Sequence, residues 1–147
     1  MSCQPDTTCR QDLRVNAGIT IRWLQVDTTN ITTTEQTAWD SITVQGIHND
    51  SVLYDNQKNV SQLALPLRND TNITMYSLKW HGMEEILYIR HDNTLQFVSM
   101  ACGCVIYHNI DSVWCSGTWI DSVRLINSAV ETVQQENVKV FTTQIGE

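Results

Sequence analysis

Short segments in which apolar and polar residues alternate recur along most of the chain. In residues 19–26, with the sequence ITIRWLQV, apolar residues stand at positions 19, 21 and 23, as a strand with one buried face requires. Clusters of Asn, Asp and Thr separate such segments, and these residues favour turns. The pattern predicts an all-β antiparallel sandwich, Ig-like or similar, of about eight to ten short strands.

Further candidate strands follow the same alternation. They span residues 41–47, 52–54, 62–67, 73–80, 86–90, 95–100, 105–108, 113–115, 119–126 and 138–142. The polar cluster at 27–34 predicts a turn-like connection, and the weak apolar stripe of residues 128–136 predicts a short helix. Pro66 has no backbone N–H, so we expect it on an edge strand or at a bend.

The length of the chain and the periodicity of its apolar residues predict one domain with a short tether. The 147 residues suffice for one hydrophobic core. Residues 1–16 lack steady periodicity and are interpreted as an N-terminal tether, which leaves 17–147 for the sandwich domain. The net charge of -7, with scattered basic residues, argues against a nucleic-acid partner and against anionic lipid surfaces.

Five cysteines in so short a chain indicate an oxidising compartment. Cys3 precedes a polar stretch and looks like the acylated first cysteine of a bacterial lipoprotein, with Met1 and Ser2 left from a removed signal peptide or an added start. The alternative is a free surface thiol in a cytosolic protein. With Cys3 set aside, four cysteines remain for two bridges.

A hairpin centred between Asn109 and Ile110 would place Cys104 opposite Cys115. Cys9 and Cys102 would then form the second bridge and pin the tether to the sheet. Four cysteines allow three pairings, so the connectivity stays open.

Metal sites are alternatives to a purely structural role. Cys102, Cys104, His108 and Cys115 supply thiolate and imidazole ligands for zinc, although the Cys-x-Cys spacing is tighter than usual. Oxygen ligands at 49–50, 55–56 and 69–72 would suit calcium, but the same residues are ordinary turn formers. We therefore expect no cofactor.

Catalysis has one candidate arrangement in the sequence. A hydrolase would use Cys115 or Ser116 as nucleophile with His108 as base, but no spacing shows that they meet. Glu84 and Glu85 are adjacent on a candidate strand, so they would face opposite sides. The five Trp residues would form either core packing or a sugar-stacking platform. They are Trp23, Trp39, Trp80, Trp114 and Trp119.

Several motifs together carry a family resemblance. They include an early Cys, an Ile-x-Ile strand, the element Leu65-Pro66-Leu67, the step Ala101-Cys102-Gly103 and the segment Trp119-Ile120-Asp121-Ser122. From about residue 9 to 140 the chain resembles a family of small Bacteroidetes envelope lipoproteins of unknown function (DUF6452-like). The resemblance implies export, lipid anchoring and an all-β fold, and it attaches no catalytic residue to any position.

One recurring motif is similar to the O-glycosylation signal of exported Bacteroidetes proteins. It consists of Asp, then Ser or Thr, then an aliphatic residue or Thr. Thr7, Thr28 and Ser51 lie in exposed stretches and are the expected acceptors.

The leading hypothesis is a non-enzymatic outer-membrane lipoprotein, facing the periplasm or the surface, that binds an envelope protein or a glycan. The zinc or calcium module and the hydrolase remain the alternatives.

Overall fold

The computed structural model describes residues 13–26, 31–36, 39–47, 51–117, 120, 122–133 and 135–142, with backbone only for 23–26 and 31–36. Within these ranges the regular structure is eleven strands and no helix, so the all-β prediction is confirmed. The strands are β1 Asn16–Val26, β2 Ile31–Gln36, β3 Ile42–Gly46, β4 Val52–Gln57, β5 Gln62–Pro66, β6 Ile73–Trp80, β7 Met83–Ser99, β8 Gly103–Cys115, β9 Ser122–Leu125, β10 Ala129–Val130 and β11 Glu136–Thr142. None of the described residues belongs to a helix that is long and apolar enough to cross a membrane.

The strands form two sheets. The five-stranded sheet has the order β2-β1-β11-β9, and β5 pairs with β1 beside β2. Its β1–β11 pair is parallel, while its other pairs are antiparallel. The six-stranded sheet has the order β10-β8-β7-β6-β3-β4 and is antiparallel throughout. Pro66 ends β5, which pairs only with β1 among the described strands, so its predicted edge position is confirmed.

One cluster of buried residues joins the two sheets. The five-stranded sheet contributes side chains such as Ile21 and Val140, and the six-stranded sheet contributes others such as Leu87 and Ile89. Alternation places these residues on one face of each strand. Their burial removes apolar surface from water at roughly 25 cal/mol per Å², which is the main favourable contribution to the fold.

The central hairpin, formed by β7 and β8, is longer than the sequence predicts. Residues 86–90 and 95–100 form one continuous β7, and 105–108 and 113–115 form one continuous β8. The hairpin turn therefore lies at 100–102 rather than at Asn109 and Ile110, which are paired in the middle of β8. Gly103, at φ 76°, follows this turn and adopts the left-handed backbone that glycine tolerates best.

Two further predictions are wrong. Part of the polar cluster at 27–34 lies in β2, whose Thr residues are β-branched and suit a strand paired with β1. In place of the helix at 128–136, β10 pairs with β8. The side chains of Gln135 and Asn137 donate to the carbonyl oxygen of Ala129 at 2.8 and 2.7 Å, which occupies an acceptor that a helix would need.

Candidate functional site

The outer face of the six-stranded sheet carries two aromatic rings in contact. Leu87 and Ile89 of β7 are buried, so Tyr88 between them points to the opposite face. Tyr88 lies opposite Trp114 of β8, and their rings are stacked with centroids 5.3 Å apart and planes inclined by 6°. Trp114 is 39% exposed. A partly exposed aromatic pair therefore lies near the open end of the β7–β8 hairpin, away from its turn.

Two apolar side chains extend this pair across the sheet. Met75 of β6 lies opposite Tyr88, and Ile47, directly after β3, donates its backbone N–H to the Met75 carbonyl at 3.2 Å. Met75 is half-buried and Ile47 is exposed. We call Ile47, Met75, Tyr88 and Trp114 the sheet-face row.

A polar cleft adjoins the sheet-face row at Arg90, which lies two residues, or about 7 Å, beyond Tyr88 along β7. The cleft has a volume of about 390 Å³ and is lined by Asn72, Ile73, Arg90, His91, Asp92, Asn109 and Asp111. Its guanidinium, carboxylate and amide groups supply both donors and acceptors. A volume of this size is within the range of small-ligand sites. Together the row and the cleft offer ring stacking next to hydrogen bonding.

Two buried histidines beside the cleft share one asparagine. His91 and His108 are 2% and 4% exposed. Their Nδ1 atoms lie 2.9 and 2.7 Å from Oδ1 of Asn93, and their rings meet edge to face at a centroid distance of 5.0 Å. The Nδ2 of Asn93 donates to the carbonyls of Thr71 at 2.9 Å and Asn69 at 3.3 Å. Asn93 therefore joins β7, β8 and the loop before β6.

The hydrogen-bond chain reaches both ring nitrogens of His91 and Nδ1 of His108. Because an amide oxygen only accepts, both Nδ1 atoms donate to Asn93. Thr74 Oγ1 lies 2.8 Å from Nε2 of His91 and accepts the backbone N–H of Arg68 at 2.9 Å. Thr74 and Asn93 therefore supply a hydrogen-bond partner to each ring nitrogen of His91. The arrangement is that of a structural polar network.

The charge of His108 depends on the same surroundings. Burial, and next the neighbouring His91, lower the pKa of His108 below its usual value, against smaller raising effects of the backbone and charge of Asp92. His108 is therefore predominantly neutral at pH 7.

A buried carboxylate organises the loop after β8. Glu85 is fully buried, and its Oε2 accepts the Ser116 hydroxyl and the Gly117 N–H, the latter at 2.6 Å. Its Oε1 accepts the Ile120 N–H at 2.9 Å. Glu84, in contrast, is exposed, so the prediction that the two carboxylates face opposite sides is confirmed. A carboxylate with three donors is a typical structural anchor.

Cys115 lies next to this anchor as a free thiol. Burial, and then the charge of Glu85, raise the pKa of the Cys115 thiol, while a backbone hydrogen bond from Gly117 lowers it. Because the thiolate is the reactive species, Cys115 is a poor nucleophile at neutral pH.

The residues that form these features all lie within the part of the chain that matches a family model. A family model described as "Family of unknown function (DUF6452)" matches residues 41–142. The chain belongs to the DUF6452 family. The match contains the sheet-face row, the polar cleft and both buried histidines. No curated protein and no solved structure matches the chain.

In this DUF6452 chain the predicted bridge between Cys104 and Cys115 is wrong. Cys115 is a free thiol, and the two cysteines stand at opposite ends of β8, which separates them by about 36 Å at 3.3 Å per residue. Cys102 and Cys104 are each disulfide-bonded. The predicted partner Cys9 lies outside the described residues, so its pairing with Cys102 stays a prediction.

The predicted zinc set is not brought together. Cys102 and Cys104 carry disulfides rather than thiolates, and Cys115 lies at the far end of the strand. Among the described residues no group of three or more His, Cys, Asp or Glu side chains is arranged to hold a metal ion.

The oxygen-rich loop at 69–72 uses its groups within the protein. Asp70 forms a bidentate pair with Arg68 at 2.8 and 3.0 Å, and the carbonyl of Asn72 accepts the His91 N–H at 2.8 Å. The carbonyls of Asn69 and Thr71 accept hydrogen bonds from Nδ2 of Asn93. Residues 49–50 of the predicted calcium set lie outside the described residues.

The predicted hydrolase residues are apart. His108 precedes Cys115 by seven positions on one strand, or about 23 Å. The Ser116 hydroxyl donates to Glu85 and accepts the Ile86 N–H at 3.0 Å. His108 is therefore not positioned to activate either nucleophile.

The remaining predicted positions divide into described and undescribed ones. Ser51 is exposed directly before β4, whereas Cys3, Thr7 and Thr28 lie outside the described residues, so the lipidation and glycosylation sites stay predictions. Trp39 is 2% exposed and belongs to the core. The sequence alone does not distinguish Trp114 from the other four Trp residues, and it does not predict the role of Asn93. The signal that would have found both is the register of β7 against β8.

Proposed function

We propose that this protein is a non-enzymatic binding module whose six-stranded sheet binds a glycan on its outer face. The observation that carries the proposal is the solvent-facing stack of Tyr88 on Trp114. One face of the Trp114 ring packs on Tyr88, and the 39% exposure of Trp114 leaves apolar ring surface in contact with solvent. Sugar rings present apolar C–H faces and hydroxyl edges, and both find complements here.

The polar cleft supports the same proposal. Its lining includes Arg90, which follows Tyr88 by two residues, or about 7 Å along β7, together with Asp92, Asn109 and Asp111. These groups match the alternating donors and acceptors of sugar hydroxyls. A saccharide lying along β7 would stack on Trp114 with one ring and enter the cleft with the next.

Glycan-array screening followed by tryptophan fluorescence titration tests this function. Trp114→Ala is expected to weaken binding of an array hit about tenfold or more, because it removes the stacking surface. Arg90→Ala is expected to weaken glycan binding. Because this variant keeps Trp114, the fluorescence change at saturating glycan should equal that of the wild type. A blank array with folded protein, or undiminished binding by Trp114→Ala, would refute the proposal.

Phe97→Ala is the matched control. Phe97 is 38% exposed, close to the 39% of Trp114, and it stands on the same hairpin. It lies nine residues, or about 30 Å, from Tyr88. We expect this variant to bind glycan as the wild type does.

A protein partner is the second candidate, and the far end of the β7–β8 hairpin favours it. Leu95, Phe97 and Met100 are 60%, 38% and 82% exposed, and exposed apolar residues grouped at one end mark interaction surfaces. In a pull-down from envelope extract, Phe97→Ala would lose the partner and Trp114→Ala would retain it. The same two variants therefore distinguish the candidates by opposite results.

We further propose that the two sheets pack as an Ig-like or related sandwich and that the protein resides in the bacterial envelope. The shared core of the two sheets supports the first statement. The sequence features of exported lipoproteins support the second. Fractionation of the native host, with the protein followed by mass spectrometry, tests the location.

A further inference from the structure

The far half of the β7–β8 hairpin has one open backbone edge. β6 pairs with β7 only as far as Arg90, and the loop before β6 reaches His91, whose N–H donates to the Asn72 carbonyl at 2.8 Å. From Thr94 to Ser99, β8 is the only described strand that pairs with β7. We call residues 94–99 the open edge. Such an edge presents N–H and C=O groups with which another strand can pair.

The open edge lies within the longest uncharged stretch of the chain. Residues 93–110 contain no Asp, Glu, Lys or Arg, although the chain has 16 acidic and 9 basic residues. Leu95 and Phe97 of the open edge are exposed. Natural edge strands are protected from association by charges, by Pro or by bulges. Of these devices the open edge has only a bulge, where the register shifts between Phe97 and Ser99.

Two observations favour a second copy of this chain over a lipid bilayer as the occupant of the open edge. In hydrocarbon the unpaired N–H and C=O groups of an open strand have no hydrogen-bond partner, whereas a second strand supplies one for each. The net charge of -7 makes two copies repel each other. This repulsion is weakest where neither surface carries a charge, and the open edge is such a surface.

The residues of the open edge are complementary to themselves. Two copies related by a two-fold axis present the same residues to each other. In an antiparallel pairing, an axis at Gln96 places Leu95 opposite Phe97 of the second copy on both sides of the axis. Cross-strand pairs of this apolar and aromatic kind stabilise antiparallel sheets. The Phe97 carbonyl already accepts the exposed Nε2 of Gln96 at 3.1 Å, so a donor outside the β7–β8 ladder can reach it.

We propose that this protein forms a homodimer in which the open edges of two copies pair antiparallel about Gln96. The two hairpins then form one four-stranded sheet, with Leu95 and Phe97 of both copies side by side on one face. The bulge after Phe97 ends the regular edge. The pairing is therefore short and buries less than the roughly 1,200 Å² of stable complexes. This dimer is independent of glycan binding, and it names a second copy as the protein partner of the hairpin's far end.

Sedimentation equilibrium of the full chain, from about 1 to 500 µM, gives the first test. We expect the weight-average mass to rise from one chain towards two, with a Kd of about 10–100 µM. Gln96→Lys places two like charges opposite each other and should weaken association at least about tenfold. A wild type that stays monomeric at every concentration would overturn the proposal.

Gln57→Lys is the matched control. Gln57 is also exposed, and it ends β4, the strand at an edge of the same sheet. The substitution changes the charge by the same amount, so this variant should associate like the wild type. Equal weakening by Gln57→Lys and Gln96→Lys would show a general effect of charge and would contradict the open edge.

A charge-swap experiment tests the position of the axis. Gln96→Glu alone should associate as weakly as Gln96→Lys, whereas an equimolar mixture of the two variants should associate at least as tightly as the wild type. Opposite charges face each other only in the mixed dimer, and only if position 96 meets position 96. Circular dichroism checks that each variant is folded. A mixture that associates as weakly as either variant alone would exclude the two-fold pairing about Gln96.

The other occupants give different results. Flotation of monomeric protein with phosphatidylcholine vesicles, lost in Phe97→Ala, would assign the open edge to a membrane and overturn the homodimer. Trp114→Ala should associate like the wild type, because Trp114 pairs with Tyr88 outside the open edge. Loss of association in Trp114→Ala would instead place the contact on the sheet-face row and count against the proposal.

Discussion

Glu85 is the residue that anchors the loop between β8 and β9. Its carboxylate accepts the Ser116 hydroxyl and the Gly117 and Ile120 N–H groups. Glu85→Gln replaces one acceptor oxygen with an NH₂ group that faces a buried donor. We expect the free energy of unfolding to fall by about 1–3 kcal/mol in urea titration at pH 7.

Glu84→Gln is the matched control for this substitution. Glu84 is the exposed neighbour and accepts the Ser77 hydroxyl at 2.6 Å, a bond that Gln retains. Its effect should stay within about 0.5 kcal/mol. Equal effects of the two substitutions would show that Glu85 does not anchor the loop.

His108 makes stability depend on pH. Because the pKa of His108 is lowered in the folded protein, the unfolded chain binds more protons near its usual pKa of about 6.5. The contribution of neutral His108 to the free energy of unfolding is therefore fully present above about pH 6.5. It is lost as the pH falls towards the pKa of His108 in the folded protein. The groups that face this ring are His91, which lowers the pKa of His108, and Asp92, which raises it.

Urea titrations between pH 7.5 and 5 measure this dependence. His108→Gln keeps a polar side chain and removes the titration, so the variant should show a shallower loss of stability than wild type on acidification. One titrating group contributes at most about 1.4 kcal/mol per pH unit. Parallel curves for variant and wild type would exclude His108 as the source.

At the scale of elements, the side chain of Asn137 in β11 links β1 and β10 at the point where the β1–β11 register shifts. The parallel β1–β11 register shifts between Gly18 and Ile19, and Asn137 occupies the extra position on β11. Its Oδ1 accepts the Gly18 N–H at 2.9 Å, and its Nδ2 donates to the carbonyls of Asn127 and Ala129 at 2.8 and 2.7 Å. The side chain replaces backbone bonds that the bulge removes.

Asn137→Ala should therefore lower the free energy of unfolding substantially. The substitution leaves a buried N–H and weakens two carbonyl contacts, so we expect a loss of about 2–4 kcal/mol in the free energy of unfolding. Asn109→Ala, at an exposed position on β8, should cost little. Hydrogen exchange of the Gly18 amide gives a local readout, and unchanged protection in Asn137→Ala would contradict the assignment.

The sequence predicts those strands whose apolar and polar residues alternate without interruption by residues that bond to distant segments. The expected strand at 73–80 coincides with β6, because alternating burial alone determines it. The expected break inside β7 is wrong because Asp92 and Asn93 have the composition of a turn. In the fold, Asn93 bonds to His91, His108 and a distant loop, and none of these long-range contacts is visible in local sequence.

The candidate site was less predictable for the same reason. Tyr88 and Trp114 are 26 positions apart, and only the register of a continuous hairpin places them opposite each other. A hairpin turn at 109–110 instead of 100–102 changes every cross-strand pair. That one error produced the wrong Cys104–Cys115 bridge and concealed the exposed aromatic stack.

At the scale of the whole molecule, the shared core predicts one cooperative unfolding transition. Leu87 of the six-stranded sheet and Val140 of the five-stranded sheet are both fully buried in the same cluster. Leu87→Ala should cost about 2–5 kcal/mol, and Val140→Ala, which removes fewer atoms, should cost less. Because one buried cluster contains residues of both sheets, either substitution should destabilise both sheets together.

Two probes of unfolding test this coupling. Tryptophan fluorescence reports on residues in several parts of the fold, and far-UV circular dichroism reports on all strands. For wild type and both variants the two urea midpoints should coincide and shift together. Separate midpoints in Leu87→Ala, with the five-stranded sheet persisting, would mean that the sheets are independent units rather than layers around one core.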